Sequence, residues 1–152
     1  MIAQLRRLWY VVAGEMGTSQ AFYALHRAIY RASGGRVMTR ALSCPVVLVT
    51  TTGRRSGRAH TVPVFGFPEG NAVVLVASNA GKDRHPAWFL NLEANPEAEV
   101  QVGRERRRVR ARAATPAERE RLWPRLVSYY RGYDVYRERT ERPIPVLILE
   151  PV

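Results

Sequence analysis

The chain reads as an α+β domain built on a small antiparallel barrel, and three observations predict it. Apolar residues recur at helical spacing through the first forty positions, then at strand spacing from Pro45 onward. Short connections rich in Gly, Pro and Asn separate the strands, which favours antiparallel pairing over long crossovers. A capping box then opens a further helix, and one apolar strand closes the chain.

A chain of 152 residues is long enough to bury one core, and 46% hydrophobic against 24% charged residues suits a soluble globular protein. No apolar run approaches the ~20 residues that cross a bilayer. The N-terminus lacks a signal-peptide pattern, so a cytoplasmic protein is expected. Cys44 is the sole cysteine, which excludes an internal disulfide and a cysteine-rich zinc site. His26, His60 and His85 are too dispersed for a metal cluster, and no metal is expected. The net charge of +11, carried almost wholly by arginine, would attract polyanions. No helix-turn-helix, zinc-finger or RNP-type pattern accompanies it, so no specific nucleic acid is expected.

Residues 1–40 read as helical and basic. Leu5, Leu8, Trp9 and Val12 form one stripe, with Arg6 and Arg7 beside it. Such a stripe packs on its own domain, packs on a partner, or lies on a membrane surface. Ser19 caps a second helix carrying Phe22, Leu25 and Ile29, which Gly34-Gly35 ends. Val46 to Thr52 is apolar and β-branched, suited to a buried strand. Thr61 to Phe67 alternates as a second strand, with Pro63 marking an edge or a bulge. Pro68-Glu69-Gly70-Asn71 is turn chemistry, and Ala72 to Ala77 is a third strand that completes a meander.

Pro86 suits the first helical position before Trp88, Phe89 and Leu92, and Asn95-Pro96 stops that helix. Glu97 to Ala114 is a hairpin. A Gly103-Arg104 loop of type II′ sets Glu97 opposite Arg110, Ala98 opposite Val109 and Glu99 opposite Arg108. Thr115-Pro116-Ala117-Glu118 opens a helix bearing Leu122, Trp123 and Leu126. Tyr133 to Tyr136 forms a short helix after Gly132, and Val146 to Leu149 is the last strand.

The turn Thr50-Thr51-Thr52-Gly53-Arg54-Arg55-Ser56-Gly57-Arg58 carries the clearest chemistry. Gly53 and Gly57 can take positive φ and let backbone amides converge on an anion. Arg54, Arg55 and Arg58 add fork-shaped donors that match phosphate or carboxylate. The plain alternative is a solvated turn.

Several phrases occur in order and at consistent spacing. They are Leu48 to Gly57 (LVTTTGRRSG), Ala77-Ser78-Asn79, His85 to Pro96 (HPAWFLNLEANP) and Ile144-Pro145-Val146. Together they resemble the deazaflavin-dependent nitroreductase family, whose members use coenzyme F420 on a split β-barrel of FMN-binding type. The likeness runs from about Pro45 to Pro151. It implies an N-terminal helical segment over 1–40 and a cofactor-binding barrel over 41–152.

The resemblance implies an F420H2-dependent oxidoreductase that passes a hydride to a quinone-like, nitroaromatic or enone acceptor. Its rivals are a non-catalytic F420 carrier and an FMN-dependent reductase on the same barrel. It also implies that the cofactor's anionic tail lies near Thr51, Thr52, Gly53, Arg54, Arg55, Ser56, Gly57 and His60. The ring then reaches toward Ala77, Ser78 and Asn79, with Trp88 beside it. Tyr133 is expected to supply a proton or an orienting hydroxyl, Ser78 to hold the ring carbonyl, and Tyr130 and Tyr136 to line the substrate pocket; a plain packing stripe is the alternative. Phe65 and Asn79 depart from the tyrosine and lysine that relatives carry, and His60 stands near a family arginine. Peripheral membrane contact would come through the N-terminal helix.

Overall fold

The computed structural model describes every residue from Met1 to Val152. Two helices lead, α1 (Ile2–Gly17) and α2 (Gln20–Ala32), followed by strands β1 (Arg40–Ala41), β2 (Cys44–Thr52), β3 (Ala59–Phe65), β4 (Phe67–Glu69) and β5 (Ala72–Val76). After a 3-10 turn at Asn79–Gly81 come α3 (Ala87–Ala94), β6 (Glu97–Val102), β7 (Glu105–Ala113), α4 (Pro116–Tyr129), α5 (Gly132–Arg139) and β8 (Val146–Pro151). The fold is the expected α+β split barrel: every strand pair is antiparallel, in the order β1-β2-β6-β7-β8-β5-β4, with β3 paired to β2.

Alternation sorts the side chains into two cores. Val47 and Val49 of β2 point into the barrel with Leu75, Val100, Val109 and Leu149, and Trp88, Phe89 and Leu92 of α3 fill the end of that interior. The opposite faces of β5 and β8 present Val74, Val76, Val146 and Ile148 to Leu122 and Leu126 of α4 and to Tyr133 and Tyr136 of α5. Strands β5 and β8 are thus apolar on both faces, which explains their unbroken hydrophobic runs.

The β6–β7 hairpin keeps the expected register, Glu97↔Arg110, Ala98↔Val109 and Glu99↔Arg108. Gly103 alone takes positive φ at its loop, as a type II′ turn requires. Arg108 and Arg110 both reach Glu97, at 3.8 and 3.7 Å, so the ion pairs converge on one carboxylate and leave Glu99 out. Thr115 and Glu118 form the full capping box, and Ser19 caps α2 through the Phe22 amide.

Three expectations need correcting. The meander breaks at Gly66: β3 pairs only with β2, while β4 and β5 form a separate hairpin joined to β8. Gly66 donates its N–H to the Pro45 carbonyl, and a Cβ there would lie 2.6 Å from Val47 Cγ2. The chain therefore bends where only glycine fits. With β3 at an edge, Pro63 costs no ladder bond. Pro68 and Glu69 belong to β4, so the turn itself is Gly70-Asn71. Pro86 precedes its helix as the N-cap.

The α1 stripe does not pack on its own domain. Leu5, Leu8, Trp9 and Val12 are each about half exposed or more, and no α1 residue is buried. The helix is held from beside the stripe, by the Tyr10 ring packed edge-on against Tyr130 at 5.4 Å and by polar links: Arg7 to Glu138, Lys82 to Glu15 at 3.1 Å, and the Tyr136 hydroxyl to the Tyr10 carbonyl at 2.9 Å.

Gly66→Ala tests the break. Pressing a methyl against the stiff, buried Val47 is expected to lower unfolding free energy by about 1–3 kcal/mol, read from urea denaturation at unchanged m-value.

Candidate functional site

A cavity of about 530 Å³ lies between the outer face of β2–β3 and the helices. Pro63, Val64 and Phe65 of β3 form part of its lining, with Val46 of β2. The loop after β5 contributes Ser78, Asn79 and Ala80, and Trp88 adds its edge. Further lining comes from Phe22, Tyr23 and His26 of α2, the end of α1, the Met38–Leu42 segment, and Tyr130, Tyr133 and Tyr136. Such size and apolarity suit an aromatic ring with a few oriented polar groups.

The tyrosines divide their labour. The Tyr136 hydroxyl donates to the Tyr10 carbonyl at 2.9 Å, so the 2.8 Å bond between Tyr130 and Tyr136 has Tyr130 as donor. Tyr133 stands outside that chain, and its hydroxyl hydrogen is uncommitted. Burial, reinforced by the neighbouring Cys44 and Tyr136 acids, lifts the Tyr133 pKa well above the usual phenol value. Burial, then the donated bond to Tyr136, does the same for Tyr130. All three are protonated at neutral pH, and Tyr133 alone has a hydrogen to offer.

The loop Ala77–Lys82 has an uncommon backbone. Asn79 and Ala80 take positive φ of 45° and 56°, which residues with a Cβ rarely adopt. The amides of Gly81 and Lys82 bond to the Ser78 and Asn79 carbonyls, whereas those of Ser78, Asn79 and Ala80 have no protein acceptor. Three successive cavity-lining residues, Ser78 and Ala80 buried and Asn79 half-buried, thus carry amides without a protein partner. They suit a carbonyl or anionic oxygen. The Ala77 amide is already bonded to the Pro145 carbonyl at 2.9 Å.

In the β2–β3 turn the glycine amides are not free. Gly53 donates to the Arg58 carbonyl, Gly57 to the Gly53 carbonyl, Arg54 to Asn91 Oδ1 and Arg58 to Ser56 Oγ. These amides hold the turn and cannot also converge on an anion. Gly57 has positive φ, but Gly53 does not; a Cβ at Gly53 would lie 2.4 Å from Ser56 Oγ. Thr51 is buried and accepts from Asn91 Nδ2 at 3.1 Å, and His60 pairs with Ser56 at 3.0 Å. Neither Thr52 nor any other residue of this turn lines the cavity. Left free are the exposed guanidiniums of Arg55 and Arg58 and the amides of Arg55 and Ser56, beside an Arg54 tied to Asn91 at 3.3 Å. Asn91 and Trp88 share α3, which joins turn and cavity mechanically.

Sequence reasoning missed two features. His26 is buried in the cavity wall with Nε2 2.7 Å from the Met38 carbonyl; that carbonyl requires the hydrogen on Nε2 and leaves Nδ1 unpartnered. Arg139 and Arg142 grip the Ala77–Lys82 loop from behind: Arg139 bonds the Ala80 carbonyl at 2.8 Å, and Arg142 bonds those of Ala77, Ser78 and Lys82. Neither arginine stands in a recognisable motif, so only chain geometry finds them.

His85 supplies a pH test. Burial and then the facing Arg142 guanidinium, partly offset by Glu93, lower its pKa below the ordinary 6.5, and Nδ1 accepts from Arg142 at 3.0 Å. The unfolded chain therefore takes up this proton first as pH falls. Stability is full above about pH 6.5 and declines as pH drops through the depressed pKa. Urea denaturation between pH 7 and 5 is expected to give a flatter stability profile for His85→Gln than for the unaltered protein.

A model of the F420H(2)-dependent quinone reductase family matches residues 22–151. An F420H(2)-dependent quinone reductase of Mycobacterium tuberculosis is 38% identical over 130 residues, covering 82% of this chain and 87% of that protein. The solved structure of an F420-H2 dependent reductase (FDR-A) aligns at TM-score 0.65 with 40% identity, over 70% of this chain and 94% of its own. A structure described as a domain-swapped dimer aligns at 0.67 with 36% identity, over 83% and 96%. A pyridoxamine 5'-phosphate oxidase-like protein of Listeria innocua, at TM-score 0.50 and 12% identity over 84% and 93%, shares the fold alone. Matched along nearly all its length after α1, the chain belongs to the F420H(2)-dependent quinone reductase family.

Proposed function

We propose that the cavity is where a hydride passes from reduced F420 to a quinone, with Tyr133 and the Ser78–Ala80 amides directing the exchange. Family membership makes the chain an F420H2-dependent oxidoreductase with F420 as its cofactor. The observation that carries the site assignment is the pairing of three unpartnered amides with one uncommitted phenol around a single apolar cavity.

Bound F420 in its reduced form supplies the hydride. The residues present suit that group: the apolar walls accept a flat ring, and the Ser78, Asn79 and Ala80 amides can hold a carbonyl edge against them. Trp88 closes one side while also packing in the barrel core. A quinone that gains a hydride develops negative charge on an oxygen, and that oxygen needs a donor. Tyr133 fits this need. Its raised pKa means that it donates a hydrogen bond to the oxygen rather than surrendering the proton outright, and solvent then completes protonation. Tyr130 and Tyr136 keep the wall in place by bonding to each other and to Tyr10.

The anionic tail of the cofactor is assigned to the free cations of the β2–β3 turn, Arg55 and Arg58, with Arg54. Pro63 and His60 are three residues apart on β3, about 10 Å in an extended strand, a span that a ribityl-phosphate chain can bridge. Arg27 and Arg31 of α2, bonded to Thr61 at 2.9 Å each, stand along this route. A quinone is the preferred acceptor; nitroaromatic and enone compounds are secondary. The exposed Leu5, Leu8 and Trp9 beside Arg6 support a cytoplasmic protein with peripheral contact at an anionic membrane, testable by liposome flotation with and without α1.

Titrating the protein with F420 and FMN in parallel, by fluorescence quenching, separates the deazaflavin reading from its flavin rival: F420 is expected to bind and FMN to bind weakly. Tyr133→Phe is expected to lower kcat with menadione by about 10²-fold while leaving the Kd for F420 within a few-fold. Equal binding of FMN, or undiminished turnover by Tyr133→Phe, would count against the assignment.

A further inference from the structure

We propose that Arg142 is a positioning residue that turns the Ser78 and Asn79 amides toward the cofactor. It lies outside the cavity lining, on the far side of the Ala77–Lys82 loop. Its guanidinium donates from Nε to the Lys82 carbonyl at 2.8 Å and from one terminal nitrogen to the Ser78 carbonyl at 2.7 Å. The other terminal nitrogen donates to His85 Nδ1 at 3.0 Å and shares its second hydrogen between the Ala77 and Pro143 carbonyls, each at 3.3 Å. One planar fork therefore fixes three carbonyls of a six-residue loop, a task that suits arginine and not lysine.

The consequence follows from peptide geometry. Every peptide here is trans, so each carbonyl points opposite to the N–H that follows it in the chain. Holding the Ala77 carbonyl on Arg142 sends the Ser78 N–H away from Arg142, and holding the Ser78 carbonyl sends the Asn79 N–H the same way. The Asn79 carbonyl, taken up by the Lys82 amide, frees the Ala80 N–H likewise. Those are the three amides without partners. A cation behind the carbonyls also draws electron density through each peptide and strengthens the donor on its other side. The positive φ of Asn79 and Ala80 needs outside support to persist, and Arg142, with Arg139 on the Ala80 carbonyl, supplies it.

This inference rests on the reading that the cavity takes the deazaflavin ring, and its test keeps the two apart. F420 affinity is measured for the unaltered protein, Arg142→Ala and Arg142→Lys. Hydrogen exchange at the Gly81 and Lys82 amides is read by NMR without cofactor, with Val49 and Val109 as reference amides in the sheet. Arg142→Ala is expected to weaken F420 binding at least ten-fold and to speed exchange at Gly81 and Lys82 at least ten-fold, leaving the reference amides unchanged. Arg142→Lys is expected to show both effects at smaller size, and carries the test alone if the alanine variant does not fold. Added guanidinium ion at 20 mM, roughly, is expected to restore part of the affinity of Arg142→Ala and none of that of Arg142→Lys. F420 affinity equal to the unaltered protein in every variant that folds overturns the proposal, and so does faster exchange with undiminished affinity, since the loop would then be held for stability alone. Failure of the unaltered protein to bind F420 defeats the functional reading, while the exchange data still report whether Arg142 orders the loop.

Discussion

A trans peptide cannot turn its carbonyl one way without turning its amide the other, and the site depends on that constraint. Two arginines from the C-terminal part of the chain take the carbonyls of a loop that follows the fifth strand. The residues that carry the freed amides line a cavity built from the N-terminal helices, the β2–β3 face and the tyrosines. Segments distant in sequence thus meet at one short stretch of backbone. Lys82 continues the same junction outward, bonding Glu15 of α1 and Thr18 just past its end and so tying the helical lead-in to the loop.

The barrel makes this arrangement possible by keeping its own polar groups occupied. Each interior strand is paired on both sides, α3 fills the barrel end with Trp88, Phe89 and Leu92, and Asn91 uses both ends of its amide on Thr51 and Arg54. Amides without protein partners at Ser78, Asn79 and Ala80 thus stand beside a barrel whose own polar groups are occupied. The tyrosine wall follows the same logic. Two hydroxyls are satisfied within the protein, which holds the wall in place, and the third, on Tyr133, has no partner in that hydrogen-bond chain. In an apolar cavity such donors act at short range without competition from bulk water.

Much of the scaffold was legible in local chemistry. The β6–β7 register followed from one glycine in a two-residue loop, and α4 began where Thr115 and Glu118 said it should. The tyrosines, Ser78 and Asn79 do meet around one cavity, as the resemblance implied. The rest lay beyond local reading for physical reasons. Gly66 looks like any residue of an alternating strand until Val47 is set against it, so the broken meander could not be seen. The glycines of the β2–β3 turn suggested free amides, but turn closure consumed theirs, and unpartnered amides line the cavity at Ser78, Asn79 and Ala80, the last of which seldom takes positive φ. The α1 stripe had the right period for packing and faces solvent all the same, because Tyr10 beside it and polar links to Glu138 and Lys82 hold the helix.

The most direct measurement of the central claim is an amide-resolved NMR titration of the 15N-labelled protein with F420. The Ser78, Asn79 and Ala80 amides are expected to move downfield together and further than any in the β2–β3 turn, with saturation at one equivalent. Shifts confined to the turn around Arg54 to Arg58, with those three amides unmoved, would place the ring elsewhere and contradict the account.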